Sequence, residues 1–146
     1  MPILSLSNSL SKNKDRVHLI PIDEDFKSGT GAFTYVNSSL ANSSSTLQIT
    51  ASATSGYAWK MLASSPNTKF TYSIDLAGMT PGGGGGHILI GSSVDNSDFV
   101  NVDATSVTTY TGSFTTDTAT VMVLHLVTDV NGELTKWDNL SIEEDN

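Results

Sequence analysis

The sequence predicts an all-β protein, an antiparallel sandwich of two sheets behind an extended N-terminal arm, and three observations carry that expectation. Apolar residues recur with period two rather than 3.6: Leu47, Ile49, Ala51 and Ala53 alternate with Gln48, Thr50 and Ser52, and Phe70, Tyr72, Ile74 and Leu76 with Thr71, Ser73 and Asp75. The stretch TVMVLHLV, Thr120 to Val127, is apolar on both faces apart from His125 and rich in β-branched residues, as suits a central strand covered on both sides. Ser, Asn, Gly, Asp and Pro separate the apolar segments at SSPNT (64–68), GMTPGGGGG (78–86), SSVDNSD (92–98) and DVNG (129–132), the chemistry of turns.

Taken in order, residues 1–16 form the arm and residues 17–146 a single sandwich domain. Met1 to Asn13 is rich in Ser and Asn without a sustained apolar period, so it reads most simply as a flexible end. The sharper alternative is a docking arm, in which Ile3, Leu4, Leu6 and Leu10 order against a partner while Lys12, Lys14 and Arg16 face an acidic surface. Strand candidates follow at Val17–Ile22, Ala32–Val36, Leu47–Ala53, Tyr57–Ala63, Phe70–Leu76, His87–Gly91, Phe99–Val102, Val107–Phe114, Thr120–Val127 and Leu134–Ile142. Asn131-Gly132 is the strongest turn signal, because both residues tolerate the positive φ of a tight hairpin. The glycine run Gly82 to Gly86 lacks the Gly-Lys-Ser/Thr ending of a phosphate loop and is expected to be a mobile loop or a place of close approach.

Composition narrows the function. A chain of 146 residues supports one core, and the absence of cysteine removes disulfide scaffolds, thiolate metal sites and cysteine nucleophiles. The net charge of −8 divides into 3 − 1 = +2 for residues 1–16 and 4 − 14 = −10 for the rest. Such an acidic body opposes nucleic acid and anionic membranes, and no apolar run approaches the roughly 20 residues of a membrane span. The start of the chain lacks the order and length of a secretory signal, so the protein is expected to stay unsecreted and soluble. The 39 serines and threonines suit strand exteriors and turns.

The segment Tyr110 to Ile142, YTGSFTTDTATVMVLHLVTDVNGELTKWDNLSI, holds in order an aromatic, a Gly-x-Phe-Thr step, a long apolar strand, a Gly turn and a closing Asp-Asn-hydrophobic-Ser-hydrophobic strand. It resembles the end of the carbohydrate-binding-module jelly rolls in the grouping that includes families 4, 9 and 22. Ser65 to Gly78, SPNTKFTYSIDLAG, resembles the polar turn and Tyr-x-Ser-x strand of the same folds, and Asp23 to Phe33, DEDFKSGTGAF, more weakly resembles their opening Gly/Asp-Phe-Glu-x-Gly segment. The resemblance implies a jelly roll, and it supports a fold more than a function. Domains of this pattern also occur in virion proteins of tailed bacteriophages.

Three histidines and scattered acids form no paired carboxylates and no nucleophile–base grouping, so an enzyme is not expected. His125 reads as a neutral, hydrogen-bonded core or interface residue, and His18 and His87 as edge residues. Asp138 shares strand parity with Leu140 and Ile142 and should face the core unless a bulge intervenes. The resemblance implies that it could share a structural calcium ion with Asp25 or Asp23. The competing reading, that Asp138 accepts hydrogen bonds near the strand end, is favoured because Lys27 stands where the family pattern has an acid. No other cofactor is expected. Sugar binding needs aromatic faces on an accessible sheet, and Trp137, of opposite parity to Asp138, is the best such residue, with Tyr57 and Tyr110 behind it. Trp59, in GYAWKML, is expected to be buried.

Two functions from different classes follow. The first is a non-enzymatic virion accessory protein, a head-decoration or cement subunit or a fibre-attached module of a tailed bacteriophage. It would assemble in the bacterial host cytoplasm and bind capsid or fibre subunits through its arm and loops, with homo-trimerisation a further option. The alternative is a carbohydrate-binding module for cell-surface or plant-type glycans. The initiator Met1, the absence of a signal and the single domain favour the first, since carbohydrate-binding modules normally accompany a secreted catalytic domain.

Overall fold

A computed structural model describes residues 18–145. They form eleven strands: β1 (Ile22–Glu24), β2 (Thr34–Val36), β3 (Ser38–Asn42), β4 (Leu47–Ala51), β5 (Gly56–Ala63), β6 (Lys69–Met79), β7 (Gly86–Gly91), β8 (Val100–Ala104), β9 (Thr108–Thr115), β10 (Val121–Thr128) and β11 (Leu134–Glu144). No helix among them is long and apolar enough to cross a membrane. One sheet runs β3-β4-β11-β6-β9, with β1 also paired to β11, and the other runs β2-β5-β10-β7-β8. Every pairing is antiparallel, and the two sheets form the expected jelly-roll sandwich.

The period-two segments supply the core: Leu47, Ile49 and Ala51 from β4 and Phe70, Ile74 and Leu76 from β6 are buried, while their polar neighbours face outward. The stretch TVMVLHLV is β10, the middle strand of the five-stranded sheet, and its Met122 to Thr128 are buried on both faces. Three details depart from the sequence reading. The first strand begins at Ile22, where the sequence suggested Val17 to Ile22. A strand not foreseen, β3, forms from SSLAN; it is paired only to β4, so it needs no apolar alternation, and it is anchored by Leu40 against the core and by the buried Ser38, whose hydroxyl donates to the Tyr57 carbonyl at 3.1 Å. Gly132 takes the expected positive φ of 83°, but its turn joins β10 to β11, which belong to different sheets, so it is a crossover rather than a hairpin.

Strand β11 carries a bulge between Asp138 and Ser141, where Asn139 adopts a φ of 46°. The extra residue resets the parity, so Trp137 and Leu140 both face inward. Parity counted back from Leu140 therefore fails, and Trp137 is fully buried in the core, contrary to the exposed position expected for it. Its Nε1–H donates to Oγ1 of Thr135 at 2.7 Å, the two threonine hydroxyls of Thr135 and Thr128 meet at 2.8 Å, and Thr128 donates to the Ile49 carbonyl at 3.1 Å. An indole only donates and a carbonyl only accepts, so the proton of Thr135 points to Thr128 and every member of this buried chain is satisfied.

Candidate functional site

The outer face of the five-stranded sheet carries a cleft of about 320 Å³. Its floor comes from alternate residues of the central strands: Tyr57 of β5, His125 and Val127 of β10, and His87 and Leu89 of β7. Cross-strand pairing explains the grouping. His125 lies opposite Trp59 on one side and Leu89 on the other, and directly opposed residues share a face, so Trp59 borders the cleft in line with Tyr57. Met61 continues that line and is 56% exposed. A second depression, of about 420 Å³ and lined by Ala77 to Pro81 with Leu134 and Lys136, presents no aromatic ring.

One wall is the loop 92–98, which folds back over β10. Gly91 makes this fold possible, since a Cβ there would sit 2.1 Å from the Asn96 carbonyl oxygen. Asp98 holds the loop's start by accepting from the Ser92 N–H at 2.8 Å and the Ser92 hydroxyl at 2.9 Å. Asp95, at a φ of 65°, points its backbone N–H at Nε2 of His125, 3.0 Å away, and its carboxylate accepts a short hydrogen bond from the Tyr57 hydroxyl. That carboxylate, with burial, pushes the Tyr57 phenol up to about 12.

His125 is 2% exposed and tilts against the Tyr57 ring at 5.8 Å between centroids. Burial pulls its pKa below the ordinary histidine value, against smaller upward pulls from the Leu89 carbonyl and the Asp95 charge. The ring accepts at Nε2, so its proton sits on Nδ1, as expected of a neutral histidine. Nδ1 itself is buried without a partner in hydrogen-bond geometry, the Leu89 carbonyl included. His87 is no ordinary edge residue: its Nδ1 meets Asp129 and its Nε2 meets Asp103, each at 2.7 Å, so β7, β8 and the end of β10 are tied together at the cleft's edge.

Of the residues singled out for sugar contact, the structure brings only Tyr57 to this face. Trp137 belongs to the core, as its buried Nε1–H shows. Tyr110 is on β9 of the other sheet, packed against the core opposite Ile74, and its hydroxyl bridges the Ser106 N–H and carbonyl at 3.2 and 2.9 Å. It staples a turn. Trp59 is half-exposed rather than buried, because β5 turns Ala58 and Leu62 inward and the rings outward. Its parity with Tyr57 was visible in the sequence; which side faced the core was not. The arm residues Ile3, Leu4, Leu6, Leu10, Lys12, Lys14 and Arg16 lie outside the described residues.

The residues considered for calcium do not converge. Asp138 accepts from the Asn139 N–H at 2.8 Å, Asp25 takes the Lys27 N–H at 3.1 Å and its ammonium at 3.2 Å, and Asp23 is exposed on β1 opposite Ser141. Among the described residues no three His, Asp or Glu side chains are placed to share an ion. The Asn42 amide performs the gathering instead, donating to the carbonyls of Phe26 and of Gly29, the latter at 2.7 Å.

The architecture recurs in solved structures. The chain superposes on the K3 cleaved adhesin domain of Lys-gingipain from Porphyromonas gingivalis with a TM-score of 0.55 at 10% identity, covering 87% of this chain and 99% of that one. It matches the CBM22-1–GH10 modules of xylanase 10B from Clostridium thermocellum, complexed with xylohexaose, with a TM-score of 0.61 at 10% identity, over 89% of this chain and 29% of the other. A family 29 carbohydrate-binding module, CBM29-2, matches with a TM-score of 0.53 at 14% identity, over 88% and 91%. At these identities the likeness defines the fold, that of the carbohydrate-binding-module jelly rolls. No protein-family model matches the chain, and no curated protein matches it significantly.

Proposed function

We propose that the protein is a non-catalytic carbohydrate-binding domain that takes a glycan into the cleft over β5, β10 and β7. The observation that carries this reading is the pairing of Tyr57 and Trp59, two outward-facing rings in line on β5, with a cleft edged by Asp95, Asn101 and His87. Sugar rings present apolar C–H faces and polar hydroxyl edges, and a strand that displays aromatics beside fixed acceptors and donors answers both. The neighbouring structures include carbohydrate-binding modules, which supports this reading over the virion role, for which none of the structures named above offers a counterpart. Nothing in the cleft supplies a nucleophile–base pair: His125 is committed to the Asp95 N–H and His87 to two carboxylates.

A glycan array followed by titration calorimetry tests the reading. Binding to at least one oligosaccharide is expected, and Trp59→Ala and Tyr57→Ala should each weaken it about tenfold or more, given roughly 1.4 kcal/mol per tenfold and the usual worth of an aromatic contact. Binding that survives both changes would remove the cleft from the proposal.

A further inference from the structure

Resting on that reading, we infer that the cleft selects sugars by charge: it takes amine-bearing glycans most tightly, uncharged ones less so, and rejects acidic ones such as uronates. The reason lies in what surrounds it. Asp95 and Asp129 line the cleft and Asp103 stands behind His87, so three carboxylates oppose one imidazole and the local field is negative whichever state His87 takes. The described residues hold four lysines and no arginine, and none of these lysines lines the cleft. Lys60 of β5 turns to the other side, donating to the Gly31 carbonyl at 2.7 Å and lying over the Phe33 ring. Lys27 pairs with Asp25, Lys69 with Asp145, and Lys136 is on β11 of the opposite sheet. A carboxylate-bearing sugar would find repulsion and no counter-charge.

An ammonium finds the opposite. The Tyr57 hydroxyl uses Oδ1 of Asp95 and His87 uses Oδ1 of Asp129, and an ionised carboxylate with one oxygen engaged still has acceptor capacity on the other. The Tyr57 and Trp59 rings add faces that attract a cation. His125, in the cleft wall and almost wholly buried, is committed at Nε2 to the Asp95 N–H and keeps Nδ1 buried on the Leu89 side, so neither ring nitrogen is offered to a ligand.

Calorimetry at pH 6 in low salt, with four probes, tests the inference: oligomers of glucosamine, of N-acetylglucosamine and of galacturonate, and spermine. The glucosamine oligomer should bind about tenfold more tightly than its acetylated counterpart, as one charge-assisted hydrogen bond gives, and the advantage should shrink in high salt. The galacturonate oligomer should not bind. Asp95→Asn and Asp129→Asn should each reduce the preference, with unchanged melting temperature showing that the fold persists. Equal affinity for the glucosamine and N-acetylglucosamine oligomers, or binding of galacturonate, overturns charge selection while leaving sugar binding intact. Spermine binding as tightly as the amino sugar would overturn it too, since the cleft would then read charge without sugar. If no oligosaccharide binds, the glycan reading itself falls.

Discussion

The outer faces of the two sheets are made by the same alternating strands yet carry different chemistry. On the six-stranded sheet the outward positions include Gln48 and Thr50, Thr71, Ser73 and Asp75, Lys136 and Asp138, and Thr109, Thr111 and Ser113, polar side chains that meet water and each other. Asp75 there accepts from Thr109 at 2.6 Å and Asn139 at 2.8 Å. On the five-stranded sheet the outward positions include Tyr57, Trp59 and Met61 of β5, Val123, His125 and Val127 of β10 and His87 and Leu89 of β7, with a loop folded over them. A protein has no stability reason to leave such a face only half covered. The contrast separates a polar face from one that leaves aromatic and apolar side chains partly open, the kind of surface that the proposed binding role requires.

The largest effect should come from the tryptophan that this contrast assigns to the core. Trp137→Ala removes a fully buried ring and leaves the Thr135 hydroxyl oxygen without its donor, a loss of about 3–5 kcal/mol measurable by urea unfolding. Trp59→Ala, at the outer face, should cost far less stability while weakening glycan binding. If the two exchanged roles, with Trp137→Ala stable and binding-defective, the assignment of faces would be reversed.

Gly91→Ala comes next. The new Cβ meets the Asn96 backbone, which cannot yield as a flexible side chain would, so the loop 92–98 must lift off β10. An overpacking cost of about 1–3 kcal/mol is expected, with loss of binding, because Asp95 moves away from Tyr57 and His125. Tyr57 reports the displacement: its phenol, held up to about 12, should ionise closer to the ordinary 10 in an alkaline absorbance titration. An unaltered titration in the Gly91→Ala protein would mean the loop does not need the glycine.

The sandwich was largely legible because burial on one side writes a period of two into β4 and β6, and burial on both sides erases it in β10. The cleft was less so. His87 resembled an edge residue because Asp103 and Asp129, its two partners, sit 16 and 42 positions away and only the β7–β8 and β7–β10 pairings bring them to it. The Trp137 error has a local cause: a single residue, Asn139, at positive φ inverts the parity of everything before it on β11. An Asp-Asn pair within a strand was the available signal, since both residues are poor strand formers and asparagine tolerates that backbone. Trp59 went astray for a different reason, because alternation shows which residues share a face and not which face is wet.

A smaller effect concerns His125. Its folded pKa lies below the unfolded value of 6.5, so between the two the unfolded chain binds the extra proton. The stability it contributes is therefore complete above about pH 6.5 and declines as the pH falls below it. The Asp95 N–H faces Nε2 and would repel a protonated ring, while the Asp95 charge and the Leu89 carbonyl limit the shift. Urea midpoints compared at pH 7.5 and 5.5 should drop less in His125→Gln than in the unaltered protein. An equal drop in both would assign the pH dependence to the carboxylates elsewhere.

The smallest expected effect is none at all, and it concerns the opposite end of the comparison, the edge where β1 meets β11. With Asp138 turned to the Asn139 N–H and Asp25 to Lys27, chelation by EDTA or a millimolar excess of calcium should leave the melting temperature unchanged. The work of holding the opening segment falls to Asn42, whose amide bridges the Phe26 and Gly29 carbonyls while its own oxygen accepts from the Ser45 N–H at 3.3 Å. Asn42→Ala should lower stability by about 0.5–1.5 kcal/mol, the net worth of a hydrogen bond to the part-buried Phe26 carbonyl, and Asn42→Asp should do no better unless calcium is added. A calcium-dependent rescue of Asn42→Asp would show that an amide nitrogen occupies the place where a cation can serve. A calcium response in the unaltered protein would overturn the assignment to Asn42.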